Sequence, residues 1–443
     1  MKLPQEVLYC IQALEAAGFQ GYAVGGCVRD SLLGLIPADY DLCTDAKPED
    51  ICKVFAAHQL LHHGQKHGTV GVVLEGQVFE ITTFRTEGGY EDARHPGWVA
   101  FVPNVEEDLA RRDFTVNAMA YNPKTGYMDP FGGREDLQNQ ILRTVGDPRA
   151  RFQEDALRIL RGARFSARFR LMPEPATLEA MKELAPLLDK IARERVFEEL
   201  CKLLIAATAE DLLTFVPLLT QVIPELGPSV GFQQHTPYHR YDVFTHIAHV
   251  VEAVPKNLPL RWAALLHDSG KPKTFTRDEN GRGHFKGHAN ISQEIADAIL
   301  LRLKAPTILR QQVTELIGQH MTRLEPDKKL LRRRLGKLGQ EQLEQLLLLQ
   351  KADMGSKGTG KEENMAQFDQ IQALLEEVLA EDACFSIKDL AINGRDLQQV
   401  GFVPGPEIGK CLNRLLEQVQ DETLSNERDI LLRAAAQFLE KLA

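Results

Sequence analysis

Gly25-Gly26-Cys27-Val28-Arg29-Asp30-Ser31-Leu32-Leu33-Gly34, with Asp39-Tyr40-Asp41 a few residues on, is the stretch that decides this chain. An apolar run, Tyr22-Ala23-Val24, ends in two glycines and an Arg-Asp pair, and the two aspartates fall in a β-prone segment, Tyr40-Asp41-Leu42. In a strand, residues i and i+2 share a face about 6.6 Å apart. Asp39 and Asp41 held that way can share a pair of Mg²⁺ ions. Such ions activate an attacking hydroxyl and neutralise a leaving pyrophosphate in an in-line displacement. Gly25 and Gly26 let the backbone approach a triphosphate closely, and Arg29 supplies charge to it. An isolated Asp-x-Asp is usually a solvated turn. The preceding Gly-Gly-x-Val-Arg-Asp reverses that reading.

The chain has 443 residues, more than one ordinary core, so roughly two to four domains are expected. A hydrophobic content of 44% beside 26% charged residues fits a soluble globular protein. No apolar run reaches membrane-span length, and Met1-Lys2-Leu3-Pro4-Gln5-Glu6 lacks a signal-peptide pattern, so no membrane partner is expected. The seven cysteines stand singly without a Cys-x-x-Cys pair, which points to a cytoplasmic protein with neither zinc knuckle nor disulfide framework. A net charge of −10 argues against nucleic acid, but local charge says otherwise. Between Ile141 and Arg170 stand eight arginines (143, 149, 151, 158, 161, 164, 168, 170) against three acids, Asp147, Glu154 and Asp155. A second basic cluster runs from Lys328 to Arg334. Either can track a phosphate backbone; the second reads equally well as the solvated face of a helix.

Residues 1–140 mix short β-branched runs with helical ones. Thr69–Leu74 and Gln77–Phe84, separated by Glu75-Gly76, read as a hairpin, and with the Tyr22 and Tyr40 segments they predict a small sheet flanked by helices. From Pro148 onward strand signals nearly vanish, and apolar residues recur at three and four positions, as in Ala156, Ile159, Leu160 and Ala163. Met354–Lys361 reads as a mobile loop.

The Gly25–Asp41 stretch resembles the signature of class II tRNA nucleotidyltransferases, the CCA-adding enzymes and bacterial poly(A) polymerases. Three further blocks match in order: Arg111-Arg112-Asp113-Phe114-Thr115-Val116-Asn117-Ala118, then Asp129-Pro130-Phe131-Gly132-Gly133 with Asp136-Leu137, then Glu154-Asp155-x-x-Arg158. The similarity is dense over roughly residues 20–205. It implies an α+β protein with a polymerase-β-like nucleotidyltransferase head (1–140), a helical neck and body (141–225), a His-Asp (HD) domain (226–360) and a helical tail (361–443) that holds the tRNA elbow. It also implies Mg²⁺ on Asp39 and Asp41 as catalytic residues, a triphosphate contact from Arg112, and Asp113 on the ribose hydroxyls. Arg161 and Arg164 fall near the phosphates, Gly26 and Arg29 beside the nucleotide.

Base choice falls to Asp155 and Arg158, three apart on an expected helix face. Cytosine and adenine each offer an exocyclic amine beside an unprotonated ring nitrogen. Asp155 can accept from the amine while Arg158 donates to the ring nitrogen, whereas guanine and uracil meet acceptor with acceptor and donor with donor. The plain alternative is an i,i+3 salt bridge. Glu80, on a strand after the aspartate pair, reads either as a third metal carboxylate or as a structural residue. The Gly-rich segment from Arg85 to Val102, with Arg94-His95-Pro96, resembles the element that A-adding and CCA-adding enzymes use for the final adenosine.

In the middle of the chain, His267-Asp268 follows Trp262-Ala263-Ala264-Leu265-Leu266 and precedes Ser269-Gly270-Lys271-Pro272. With His246 upstream, His284 and His288 downstream and Asp353 distal, this resembles the His-Asp phosphohydrolase superfamily. That resemblance implies a divalent metal on His246, His267, Asp268 and Asp353, of the Mn²⁺, Ni²⁺ or Co²⁺ kind that imidazole and carboxylate suit. The alternative is an inherited helical domain with satisfied histidines. Ser269-Gly270-Lys271-Pro272 lacks the glycine spacing of a P-loop.

The expected function is template-independent addition or repair of the 3′-terminal CCA of tRNA from CTP and ATP, with an accessory phosphohydrolase in the HD domain. The rivals are an A-adding enzyme or poly(A) polymerase, a metal-dependent phosphohydrolase with a nucleotide-recognising head, and a non-catalytic tRNA-binding protein. Sequence leaves the oligomeric state open.

Overall fold

The computed structural model describes residues 1–88, 97–357, 361–381 and 386–440. Its strands are β1 (Gly21–Val24), β2 (Asp41–Thr44), β3 (Gln59–Leu61), β4 (Thr69–Leu74), β5 (Gln77–Thr83), β6 (Arg85–Gly88), β7 (Trp98–Phe101), β8 (Ala120–Asn122) and β9 (Gly126–Met128), followed by pairs only two residues long. Glu75 and Gly76 both take left-handed φ angles, 48° and 79°, the geometry of a two-residue hairpin turn, and Leu74 pairs with Gln77 across it. Seven strands form one sheet in the order β3-β4-β5-β2-β1-β8-β9. β1 is antiparallel to both its neighbours, while β2 runs parallel to β5. All four residues of β1 are buried, and Val7, Cys10, Ile11 and Leu14 bury one face of the helix Gln5–Ala16. The sequence pattern missed β3, β8 and β9; three-residue strands are too short to show alternation.

The register sets the site. Val24, last residue of β1, pairs with Asp41, first residue of β2, so the Gly25-Gly26 turn and the aspartates share one end of the sheet. Asp39 lies before the strand rather than in it, which corrects the expectation of two carboxylates on one strand face. Parallel pairing of Leu42 with Ile81 brings Glu80 level with Asp41.

The Asp129–Gly133 block serves as a brace. Asp129 accepts from the backbone N–H groups of Gly133 and Arg134, at 2.7 and 2.9 Å. Thr115 donates to Asp136 at 2.7 Å, which ties the helix Gly133–Gln138 under the Arg111–Ala118 segment. A Cβ on Gly133 would stand 2.2 Å from the Thr115 carbonyl oxygen, so only glycine allows that approach.

The chain forms two compact units, Met1–Pro224 with Arg302–Lys304, and Glu225–Leu301 with Ala305–Ala443. The boundary expected at 140/141 falls inside the first unit and that at 360/361 inside the second. In the first, the helix Leu157–Phe169 packs on Arg193–Ala206, with Phe165 edge-on to Phe114 at 5.8 Å. The second is almost wholly helical among its described residues. No described helix is long and apolar enough to cross a membrane, and the six described cysteines are free thiols.

Gly133→Ala should destabilise the first unit by about 1–3 kcal/mol through overpacking against backbone. Gly409→Ala is the control: nothing lies within 4 Å of its would-be Cβ, and it sits inside the helix Pro406–Gln420. Urea unfolding of the full chain checks both, and the control should be neutral or stabilising by up to about 1 kcal/mol.

Candidate active site

Gly25 turns the chain from β1 into the helix Gly26–Leu32 with φ 76°. A Cβ there would stand 2.6 Å from Arg112 Nη1, so this glycine lets the Arg112 guanidinium lie against the turn. Asp39, Asp41, Gly26 and Arg112 line one side of a cleft of about 460 Å³. The cleft is completed by Arg29, Asp113, Asp155, Arg158, Arg161 and Arg164, so all ten nucleotide-site residues read from the sequence meet in it. The Asp41 residue is exposed, yet partial desolvation of its carboxyl, then the Asp39 and Glu80 charges, raise its pKa against the opposing pull of Arg112. Crowded carboxylates of this kind fit a divalent cation.

The wall of the cleft is built from anchored guanidinium groups. Arg29 is only 5% exposed; it donates to Asp30 at 2.8 and 2.6 Å and lies 4.1 Å over the Phe169 ring. Arg161 donates to Asp113 Oδ2 through Nε and Nη2, at 2.9 and 2.6 Å. Arg164 donates to Glu199 at 2.6 Å and stacks on Phe165 at 4.1 Å. Burial alone would raise the Asp113 pKa, but the Arg161 charge and hydrogen bonds from Asn117 and Arg161 hold it well below the carboxylate range. Asp113 Oδ1 accepts from Asn117 and from the Phe114 N–H, and the carboxylate keeps lone pairs for a further donor.

Asp155 and Arg158 do not share a helix. The helix Pro148–Glu154 ends before Asp155, which is extended (φ −139°, ψ 103°), and its Oδ1 accepts from the Leu157 N–H at 3.0 Å. Arg158 pairs with Glu154 at 2.6 Å, not with Asp155, and donates to the carbonyls of Arg151 and Arg111 at 3.1 Å each. Asp155 instead faces Arg195 at 3.6 Å. The i,i+3 bridge is therefore replaced by two separately held groups, an acceptor and a donor, in the same cleft.

Seven of the eight arginines counted between 141 and 170 are paired with carboxylates; the eighth, Arg168, is exposed with its guanidinium 5.0 Å over Phe169. The Lys328–Arg334 cluster is likewise drawn into ion pairs. Lys328 meets Glu377 and Glu381, Arg332 meets Glu381 and Glu422, and Arg333 meets Asp421. The centre of the Arg85–Val102 element, with Arg94-His95-Pro96, lies outside the described residues; its flanks pair as β6 and β7.

In the second unit, His246, His267, Asp268 and Asp353 converge as read from the sequence. His246 Nε2 is 3.4 Å from Asp268 and 3.0 Å from Asp353, and His267 Nε2 is 3.3 Å from Asp268. All but Asp353, at 7% exposure, are essentially fully buried. His267 Nε2 and Asp353 Oδ1 are buried without a hydrogen bond of good geometry, Asp268 Oδ2 is taken by Lys271, and this concentration of imidazole nitrogens and carboxylate oxygens suits a cation. Lys271 and Lys357 pair with Asp268 and Asp353 at 2.7 and 2.8 Å. His284 lies apart, exposed and bonded to Asp278, whereas His288 joins the cluster together with His320, which no sequence motif marked. Burial, then the neighbouring His267 charge, lowers the His320 pKa to about 4, leaving it neutral near pH 7.

A seven-stranded head whose carboxylates and arginines meet beside a Gly-Gly turn defines a nucleotidyltransferase, and enzymes of this class use divalent ions. Residues 21–143 match the family model "Poly A polymerase head domain", residues 172–228 "Probable RNA and SrmB- binding site of polymerase A", and residues 275–435 the model for tRNA nucleotidyltransferase domain 2. The chain belongs to the CCA-adding enzymes. It is 33% identical to the CCA-adding enzyme of Limosilactobacillus fermentum over 434 residues, 97% of this chain and 96% of that one. Identity to the Streptococcus suis CCA-adding enzyme reaches 50% over 203 residues, 46% of this chain and 50% of the relative. The crystal structure of the Bacillus stearothermophilus CCA-adding enzyme in complex with CTP is similar over 100% of this chain and 99% of its own, with TM-score 0.76 and 29% identity. The Thermotoga maritima CCA-adding enzyme complexed with tRNA-CCA shares the fold, with TM-score 0.61 at 20% identity, over 98% of this chain and 96% of its own.

Sequence reasoning gave no role to Asn117, Arg168 or Arg195, which also line the cleft. Asn117 sits inside a quoted block and was the findable one. Arg195 is a lone arginine on an amphipathic helix far from any motif.

Asp113→Asn should lower stability by roughly 1.5–3 kcal/mol at about pH 7, the worth of hydrogen bonds to a charged group. The folded carboxyl has the lower pKa, so its contribution is complete above the unfolded value of about 3.9 and is lost as pH falls. Urea unfolding at several pH values should therefore show the gap between wild type and variant closing below about pH 4.

Proposed function

We propose that the arginine-walled cleft binds CTP and ATP in turn and joins each to the 3′ end of tRNA. The observation that carries this reading is that ten residues from separate sequence blocks, Gly26 to Arg164, line one cleft at the open end of the sheet. Arg112 and the exposed Arg168 meet the triphosphate, while Arg29, Arg161 and Arg164 hold a fixed positive wall behind it, preorganised by Asp30, Asp113 and Glu199. Asp113 orients the ribose. Asp155 accepts from the exocyclic amine and Arg158, through N–H groups left over from Glu154, donates to the ring nitrogen. Asp39 and Asp41, with Glu80 beside them, hold Mg²⁺, which when bound neutralises the leaving pyrophosphate and activates the hydroxyl. The attacking 3′ oxygen forms its bond to the α-phosphorus as the bond to pyrophosphate breaks. The four-part division at 140, 225 and 360 and a cytoplasmic location belong to the same reading.

The buried cluster of the second unit favours an accessory activity. One divalent transition metal, Mn²⁺, Ni²⁺ or Co²⁺, sits on His246, His267, Asp268 and Asp353 and supports phosphoester hydrolysis, for instance of 2′,3′-cyclic nucleotides. The unpartnered atoms of His267 and Asp353 support it.

Asp39→Ala or Asp41→Ala should reduce nucleotide addition by several orders of magnitude with little change in tRNA affinity; near wild-type addition by either refutes the assignment. Asp155→Ala should admit UTP and GTP, read from the lengths and sequences of extended tRNA ends, since each mispaired buried polar group costs about 1–3 kcal/mol. The double change His267→Ala with Asp268→Ala should remove hydrolysis and leave CCA addition intact.

A further inference from the structure

The helix Arg193–Ala206 carries Arg195 into the wall of the nucleotide cleft. The regular partner for an arginine at this helix position is Glu199, one turn on at i+4. That carboxylate is already taken. Glu199 is only 5% exposed, its Oε2 accepts from Arg164 Nε at 2.6 Å, and its Oε1 faces Lys202 at 3.6 Å. Arg195 reaches instead to another segment, where its Nη2 stands 3.6 Å from Asp155 Oδ2. With side chains 28% and 19% exposed, the pair is screened by water only in part. Arg195 Nη1 is buried and finds no hydrogen-bond partner among the described residues. An unmet buried donor is costly, so its presence in a binding cleft calls for a role.

Asp155 needs such a neighbour. It lies in the break between two helices, and a hydrogen bond holds only one of its oxygens, Oδ1, which accepts from the Leu157 N–H at 3.0 Å. A carboxylate with a single anchor can still turn about its side-chain bonds, so charge decides where Oδ2 points. Arg158, three residues on, is the competitor that the sequence spacing offers. It is drawn off by Glu154 at 2.6 Å and by the carbonyls of Arg151 and Arg111. The ion pair that Asp155 makes among the described residues is the one with Arg195.

We propose that Arg195 is a positioning residue for base choice, holding Asp155 Oδ2 by charge and so keeping the acceptor apart from Arg158. The proposal rests on the reading above, in which Asp155 accepts from the exocyclic amine and Arg158 donates to the ring nitrogen. Without Arg195, Asp155 turns to Arg158 for compensation, and the acceptor and the donor neutralise each other. Cytosine and adenine then lose their matched partners, while uracil and guanine no longer meet mismatched ones. Discrimination falls from both sides, although Arg195 itself touches no reacting atom. At 3.6 Å the charge matters more than the planar fork of the guanidinium, so lysine at this position serves in its place. Methionine keeps the length and the helix propensity and removes the charge.

The test measures kcat/KM of the full chain for CTP and UTP on tRNA lacking all of CCA, and for ATP and GTP on tRNA lacking only the terminal adenosine. Wild type is compared with R195M, R195K, D155A and the double variant D155A/R195M. R195M should lower the CTP-over-UTP and ATP-over-GTP ratios by about 10-fold, with the KM for tRNA unchanged, and adding R195M to D155A should change the ratios by less than about 2-fold, since contacting residues that act as one are not additive. R195K should recover most of the lost discrimination; a lysine variant as relaxed as R195M overturns charge as the cause. A purely structural role would slow all four nucleotides alike and leave the ratios at their wild-type values. That result in R195M, with base choice relaxed in D155A, overturns the role of Arg195 and leaves the Asp155 reading standing. Losses that multiply in the double variant overturn it in the same way. Wild-type ratios in D155A overturn both.

Discussion

The pairing of Val24 with Asp41 is the constraint on which the head depends. It ends β1 and begins β2 at the same level, so the glycine turn that follows one strand and the carboxylates that open the other must lie together. The glycines then matter for what approaches them: Arg112 lies where a Cβ on Gly25 would be. A one-residue slip in this register would carry every side chain of β1 to the other face and separate the two halves of the motif.

Charge in the first unit is arranged in two tiers. Most arginines of the 141–170 stretch are committed to carboxylates, which explains how an acidic protein can carry so basic a segment without displaying it. Pairs such as Arg164–Glu199 and Arg161–Asp113 fix guanidinium positions before any ligand arrives, and anchored dipoles and charges need no reorganisation when phosphate charge develops. The proposed base choice follows the same logic: because Asp155 and Arg158 are held by different partners, Arg195 and Glu154, neither neutralises the other, and both would keep hydrogen-bonding capacity for a base edge.

The head was legible in the sequence because its chemistry lies in contiguous blocks of glycine, arginine and aspartate whose spacing survives folding. The break at Asp155 was hidden because apolar periodicity runs on through Ala156, Ile159 and Leu160; what interrupts the helix is a side-chain oxygen competing for the Leu157 N–H, a local hydrogen bond that periodicity does not record. Asp39 was misplaced by one strand end for a similar reason, since strand pairing begins only where Val24 offers a partner. Arg195 and His320 were invisible because each is a single residue brought in by helix packing. In the second unit the His-Asp dipeptide could be read, but the placing of Asp268 between two sets of imidazoles is a property of four segments at once.

The central claim is that one cleft selects C and A in order without a nucleic-acid template. The most direct measurement supplies tRNAs lacking one, two or all three terminal CCA nucleotides with CTP, ATP or both, and sequences the extended 3′ ends. The account predicts that each tRNA regains only its missing nucleotides and stops at the terminal adenosine, with no UTP or GTP incorporation when all four are present. Continued addition of adenosine beyond that end, or extension of RNAs unrelated to tRNA, would contradict it.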